Sequence, residues 1–335
     1  MKLILSDSDT RPQWKQQLSN SIVSVHKLLA ILEINPSTLN LSEQANQQFS
    51  LRVPLPFVEK MTKGDPNDPL LLQVLPVLAE EEQSPGFSLD PLQEANANPV
   101  PGLIHKYKNR VLLIGAQTCA INCRYCFRRH FPYQENRIGS KDIESIIQYI
   151  TQHTELDEVI LSGGDPLANN DKTLNQLISQ LNNIKHLKRL RIHTRLPVVI
   201  PARINQDLIN WVNQSRLPIT FVIHVNHPNE VDSALADAMA KLRATGNMVL
   251  NQSVILKGIN DNAKTLIRLS EKLFEAGVMP YYLNVLDRVQ GSAHFEVTEA
   301  EALQLIEQMM INTSGYLVPK LVRESAEIPY KMPIK

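Results

Sequence analysis

From residue 110 onward the chain alternates in a way that few folds accommodate. Apolar runs rich in β-forming residues recur at 111–117, 158–163, 187–194, 218–225, 248–256 and 280–286. Amphipathic stretches at 141–152, 171–182, 205–214, 233–244, 262–276 and 298–312 fill the intervals and extend the series. Near-continuous apolar strands need cover on both faces, and a strand–helix rhythm supplies it through parallel pairing under helices. Eight such units close a full barrel. Six predict an α/β fold built as an open, partial (βα)6 barrel, whose missing staves leave a wide mouth for a large substrate or cofactor.

All three cysteines, Cys119, Cys123 and Cys126, fall within eight residues, directly after the first of these strands. That is the carboxyl end of the strands, where α/β active sites lie. Structural cysteines scatter along a chain; these do not. Three thiolates on one tight loop hold three corners of an iron–sulfur cube, whereas ferredoxin patterns supply four cysteines. A four-iron cluster here leaves one iron open to something other than a protein thiolate. Zinc with His130 as fourth ligand, a disulfide, or three unconnected thiols are the other readings of the same residues. CxxxCxxC is not a usual zinc spacing, and three thiols leave one over from any pairing.

Composition narrows the setting. The chain carries 34 basic and 34 acidic residues, so no net field favours nucleic acid or an anionic membrane. No apolar run approaches the ~20 residues that span a bilayer. Residues 1–9 turn acidic before a hydrophobic region of signal-peptide length develops. Unpaired cysteines fit a reducing compartment, so a cytoplasmic protein without nucleic-acid or membrane partners is expected.

Ahead of the barrel, residues 14–32 have the spacing of one amphipathic helix, with Leu18, Ile22, Val25, Leu28, Leu29 and Leu32 on a shared face. Ten prolines from Pro36 to Pro101, with the acidic run Glu80-Glu81-Glu82 between them, then forbid long regular elements. Residues 1–100 are therefore expected to form a proline-rich, mainly helical cap, either as plain packing or as a partner-docking or substrate-channel element. Residues 101–315 are expected to form the barrel and 316–335 a C-terminal tail.

The segments around the cysteines resemble a known family. CxxxCxxC after the first strand of a partial barrel, with Leu161-Ser162-Gly163-Gly164-Asp165-Pro166-Leu167 ending the second, resembles the radical S-adenosylmethionine (SAM) superfamily. There the open iron is chelated by SAM's amino and carboxylate groups, and reduction of the cluster splits SAM into methionine and a 5′-deoxyadenosyl radical. The resemblance implies that Gly163, Gly164 and Asp165 meet SAM's amino group, glycines allowing a close backbone approach. Taken alone, the same residues are equally a strand-to-helix turn. Segments 193–204, 224–230, 251–261 and 314–319 look like lysine 2,3-aminomutase and bring His224 and Gln252 to SAM. The short length and proline-rich front are similar to the subgroup that makes β-lysine for modification of elongation factor P, which lacks the C-terminal extension of the catabolic aminomutases.

What this resemblance implies is specific. It is isomerisation of L-α-lysine to β-lysine with a [4Fe–4S] cluster, SAM and pyridoxal 5′-phosphate (PLP). An external electron donor of flavodoxin or ferredoxin type and a functional link to elongation factor P and its β-lysine ligase come with it. A carbon radical breaks the unactivated C3–H bond that no side-chain base can, and PLP carries the migrating nitrogen. PLP rests on a lysine, which maps to Lys331 in Pro329-Tyr330-Lys331-Met332-Pro333. Without the resemblance Lys331 is a solvated tail residue, and its approach through 325–329 lacks the family's glycines. Arg128 matches the carboxylate-binding arginine, a role suited to a bidentate guanidinium; otherwise it is a cation beside the cluster. Asp287 and Glu324 map to the acids that hold the distant ammonium, Glu324 standing where the catabolic enzymes have aspartate. Lys106 and Arg110 map to the PLP phosphate and Tyr107 to the cofactor, in what is otherwise a generic basic loop. Two acids argue against an aminomutase acting on glutamate, and Lys331 argues against a non-catalytic iron–sulfur electron carrier.

Overall fold

The computed structural model describes residues 11–132, 136, 140–326 and 328–335. The acidic opening at 1–9 and Glu327 of the tail lie outside the described residues. The described residues at the front of the chain hold four short helices, α1 (Gln13–Ser19), α2 (Val25–Ile31), α3 (Glu43–Gln48) and α4 (Leu55–Val58), joined by extended arms and 3-10 turns. The single helix expected over 14–32 is broken at 20–24. Ile22 leaves helical geometry to exchange backbone hydrogen bonds with Val53, at 2.7 and 3.0 Å. Ser24 then restarts the chain as the N-cap of α2, accepting from the Lys27 amide. The apolar face survives the break, with Ile22, Leu28, Leu29 and Leu32 all buried.

Among the described residues nine strands form one sheet in chain order: β1 (Leu103–Tyr107), β2 (Arg110–Ala116), β3 (Glu158–Gly163), β4 (Arg189–Thr194), β5 (Ile219–Ile223), β6 (Met248–Val254), β7 (Met279–Asn284), β8 (Lys320–Arg323) and β9 (Met332–Pro333). Strands β2 to β8 pair in parallel, and β1 and β9 pair antiparallel at the two edges. The helices between them are α5 (Ser140–Gln152), α6 (Asp171–Asn182), the short α7 (Leu196–Val199), α8 (Gln206–Gln214), α9 (Ser233–Arg243), α10 (Ala263–Glu275) and α11 (Glu299–Asn312). The result is an open α/β barrel of six strand–helix units, extended by a seventh parallel strand, β8, and its partner β9 at the C-terminal end.

Local chemistry starts these helices where it should. Asn170, Asn205, Asp232, Asn262 and Thr298 each accept a hydrogen bond from the amide three residues on, capping α6, α8, α9, α10 and α11. Such caps are worth about 1 kcal/mol each. The front of the chain shares its core with the barrel: Trp14, Leu28 and Leu70 belong to one buried cluster with Ile146, Leu161 and Leu196. Arg203 is fully buried in this seam, stacked over the Trp14 ring at 4.5 Å and paired with Asp171 at 2.7 Å.

Strand β4 has a second property. Its residues alternate, with Leu190, Ile192 and Thr194 buried and Arg189, Arg191 and His193 half-buried. Arg191 and His193 line the cavity inside the barrel, as Gln252 of β6 and Tyr282 and Asn284 of β7 do. A period of two along a strand thus separates a packed face from a polar, cavity-lining one. Among the described residues, no helix is long and apolar enough to cross a membrane.

Candidate active site

The cysteine loop leaves the carboxyl end of β2 and is fastened on two sides. On the barrel side the amides of Gly164 and Asp165 donate to the carbonyls of Ala116 and Thr118, at 2.9 and 3.1 Å. The fit is close: a Cβ on Gly164 would lie 2.7 Å from the Ala116 oxygen and 2.8 Å from that of Thr118. Gly163 sits at a φ of +97°, where side chains are strained. On the other side the front of the chain grips the loop. The Asn122 and Arg124 amides donate to the carbonyls of Arg52 and Gln73. The Arg124 side chain, fully buried, turns away from the cysteines to meet Glu80 through Nε at 2.8 Å and Nη2 at 2.5 Å. Arg129 reaches the same carboxylate at 2.8 Å. Glu80 thus joins two guanidinium groups behind the loop.

The three cysteines line one cavity with Gly163, Gly164, Asp165, His224 and Gln252. Among the described residues no disulfide joins the thiols. Burial raises the Cys119 thiol well above its ordinary range, with Cys126, Asp165 and Cys123 adding to the effect. Burial, and then Cys123, pushes Cys126 up to about 11. Thiols this crowded ionise when a metal takes up their charge. Asp165 is buried, and its oxygens are taken within the chain: Oδ1 accepts from Thr194 Oγ1 and the Leu167 amide, Oδ2 from the amides of Arg195 and Leu196. It ties the glycine turn to the end of β4. Gln252 Nε2 lies 2.8 Å from His224 Nε2. An amide nitrogen only donates, so the imidazole proton belongs on Nδ1. Burial, then Arg195 and Lys331, bring His224 down to about 3, so it stays neutral.

A second compartment opens toward β1 and β7, lined by Lys106, Tyr107, Arg110, Arg191 and Tyr281. Arg128, His193, Glu324 and Lys331 line both compartments. Lys331, the fifth residue from the end of the chain, is brought here by β9. The β8–β9 pairing of Arg323 with Met332 fixes its neighbour, and Lys331 Nζ then donates to Asn284 Oδ1 at 2.8 Å. The ammonium also lies 3.6 Å from Glu324 and 5.5 Å from the Tyr282 ring centroid. Tyr107 donates to Glu324 Oε1 at 3.0 Å, and the Arg110 guanidinium stacks 3.9 Å from the Tyr107 ring centroid. Lys106 Nζ donates to the Leu92 carbonyl at 2.7 Å.

The two acids are pushed apart. Burial raises Asp287 to about 7, helped by the nearby Glu324. Burial alone would raise Glu324 too, but Lys331, Lys106 and the Tyr107 hydroxyl outweigh it and hold Glu324 below its ordinary range. Near neutral pH one acid is charged and the other is poised.

Some functional groups were not assigned from the sequence. Glu94, from the proline-rich front, holds Arg128 in a two-pronged pair, Nε and Nη2 each 2.7 Å from a carboxylate oxygen. Arg195 donates to Cys123 Sγ at 2.7 Å, so a cation from the end of β4 touches a thiol of the cluster loop. Asn284 receives Lys331. Arg195 and Asn284 stand at the carboxyl ends of β4 and β7, a position that by itself marks candidates in this fold. Glu94 carries no comparable signal.

A model of the radical SAM superfamily matches residues 113–270. A radical SAM methyltransferase from Sphaerobacter thermophilus shares the fold, with a TM-score of 0.51 at 14% identity over 69% of this chain and 72% of that one. Fold, cysteine loop and glycine turn together define a radical SAM enzyme. Among curated relatives, the L-lysine 2,3-aminomutase of Escherichia coli (strain K12) is 50% identical over 99% of this chain and 97% of its own length. That of Haemophilus influenzae is 51% identical over 95% and 94%. That of Clostridium subterminale is 33% identical over 98% of this chain and 79% of its own length. The chain belongs to the L-lysine 2,3-aminomutase family, a family of isomerases.

Membership brings a [4Fe–4S] cluster, SAM and PLP as the cofactor set, and the residues present fit these groups. Three clustered thiols line one cavity with the glycine turn Gly163, Gly164 and Asp165. A cationic compartment of Lys106, Arg110 and Arg191 adjoins a lysine. His193 Nε2, between the compartments, is buried and without a hydrogen-bond partner among the described residues, as expected of an atom meant for a ligand.

Proposed function

We propose that this chain converts L-lysine to β-lysine by moving the amino group from C2 to C3, with PLP held on Lys331. The observation that carries the proposal is convergence. Lys331, from the end of the chain, lines the same cavity as Cys119, Cys123, Cys126, Arg128, Asp287 and Glu324.

When bound, the cluster and SAM supply a 5′-deoxyadenosyl radical, and PLP supplies an unsaturated partner for the migrating nitrogen. The chain's own residues position and exclude. Cys119, Cys123 and Cys126 would hold the cluster, leaving one iron for SAM. Gly163 and Gly164 would offer backbone groups to SAM's amino group, with Asp165 shaping the turn and His224 and Gln252 lining the same cavity. Arg128 takes the substrate carboxylate. Glu94 grips its Nε–Nη2 edge, and the 3.3 Å contact of Nη1 with Ser162 Oγ is the one a carboxylate replaces most cheaply. Glu324 and Asp287 take the ε-ammonium; a glutamate side chain would meet two acids and be repelled. Lys106 and Arg110 would hold the PLP phosphate, and the Tyr107 hydroxyl orients Glu324 at 3.0 Å.

The wider reading follows from the same likeness. A flavodoxin- or ferredoxin-type donor reduces the cluster in a reducing cytoplasm, and β-lysine passes to the ligase that modifies elongation factor P. The division into a cap (1–100), a barrel (101–315) and a tail (316–335) belongs to this proposal. The test is an anaerobic assay of reconstituted protein with SAM, PLP and a strong reductant, offering lysine and glutamate side by side. Mass spectrometry should find β-lysine and no β-glutamate. Unchanged lysine, with cluster and PLP verified, sinks the proposal.

A further inference from the structure

We infer that Arg195 sets the reduction potential of the cluster, and that the front of the chain holds it in the position to do so. The inference rests on the reading that Cys119, Cys123 and Cys126 carry a four-iron cluster; it does not depend on which amino acid is the substrate.

Arg195 lies just beyond β4 and is buried. Its Nη1 donates to Cys123 Sγ at 2.7 Å and to the Tyr125 hydroxyl. Its Nη2 donates to Gln73 Oε1 at 2.7 Å and to Glu230 Oε2 at 3.0 Å. Asn226 fixes the Tyr125 hydroxyl from the far side, at 2.7 Å. The guanidinium is therefore clamped from two other parts of the chain: the front (Gln73) and the turn after β5 (Asn226 and Glu230). A structural arginine needs only its carboxylate. This one is aimed at a sulfur.

The direction of the effect follows from charge. An external donor of flavodoxin or ferredoxin type passes one electron to the cluster, which gains one negative charge and loses no ligand. A fixed positive charge and an N–H···S bond at Cys123 stabilise that reduced state more than the oxidised one, so they raise the potential. Arg128, which is paired in both prongs with Glu94, is less suited to this role.

The test is a potentiometric titration of the anaerobically reconstituted full chain, without SAM or amino acid, read by the electron paramagnetic resonance of the reduced cluster. Arg195→Gln and Arg195→Met should move the midpoint negative. At a fixed poise the reduced-to-oxidised ratio should fall tenfold or more, which is 59 mV for a one-electron couple. Arg195→Lys, which keeps the charge, should restore most of the shift. Gln73→Leu, which only loosens the clamp, should shift the midpoint less and with the same sign. Unchanged midpoints in Arg195→Gln with full iron content overturn the inference. If the Arg195 variants fail to hold iron, Gln73→Leu decides, and an unshifted midpoint there overturns it as well. A wild-type protein that shows no reduced four-iron signal removes the cluster reading itself, and the inference with it.

Discussion

Titrating Asp287 should control how tightly the substrate's cationic end is held. Its carboxyl is raised to about 7 by burial and by Glu324, so it is mostly protonated below neutrality. Glu324 stays charged across this range because Lys331, Lys106 and Tyr107 outweigh its burial. An ε-ammonium prefers the ionised form of Asp287, so binding strengthens as pH rises through 7. With a midpoint near 7, about a tenth of Asp287 is ionised at pH 6 and about nine-tenths at pH 8. Apparent affinity scales with the competent fraction, so lysine should bind about tenfold more weakly at pH 6 than at pH 8, or about 1.4 kcal/mol. The assay is equilibrium lysine binding to cofactor-loaded protein from pH 6 to 8.5, with Asp287→Asn in parallel. The variant should bind weakly at every pH and lose the slope. A slope that persists in Asp287→Asn refutes the reasoning, as does a flat wild-type profile.

Other consequences are as direct. Glu80→Ala leaves Arg124 and Arg129 buried without their shared carboxylate and should cost about 3–5 kcal/mol, seen as a lower urea midpoint. Gly164→Ala drives a methyl group into the Ala116 and Thr118 carbonyls; with about 1–3 kcal/mol of strain on the cysteine loop, bound iron per chain should fall below wild type. Removing residues 332–335 deletes the β8–β9 pairing and the bond from the Ile334 amide to the Leu321 carbonyl. Borohydride should then fix less PLP on Lys331, while the cluster spectrum stays unchanged.

The barrel was legible because its elements carry their own signals. The strands are apolar runs, and the helices between them are amphipathic stretches with a 3.6-residue period. The break at 20–24 was not legible, because the partner that pulls Ile22 out of the helix is Val53, thirty-one residues away, and nothing local marks it. Glu80-Glu81-Glu82 has the look of a solvated acidic run. Glu80 is nonetheless buried at 6% exposure, because Arg124 and Arg129 arrive from the barrel to neutralise it. Strand β4 reads as apolar, yet Arg191 and His193 alternate onto the cavity face, a period-two signal masked by Leu190 and Ile192. The tail lacks glycines, and the route of Lys331 came instead from a two-residue strand, β9, too short to stand out in sequence. Spacing and strand-end position marked the cysteine loop, and the family resemblance named the other candidates; the pairs Arg128–Glu94 and Arg195–Cys123 depend on long-range approach that no local pattern marks.

The most direct measurement of the central claim follows one hydrogen. L-Lysine deuterated at C3 is incubated anaerobically with reconstituted protein, SAM, PLP and reductant, and the products are read by mass spectrometry. One cavity joining the cysteine loop to Lys331 predicts β-lysine with deuterium at C2, and label in the 5′-deoxyadenosine pool. SAM cleavage with lysine returned unrearranged, or β-lysine whose migrating hydrogen comes from water, would contradict it.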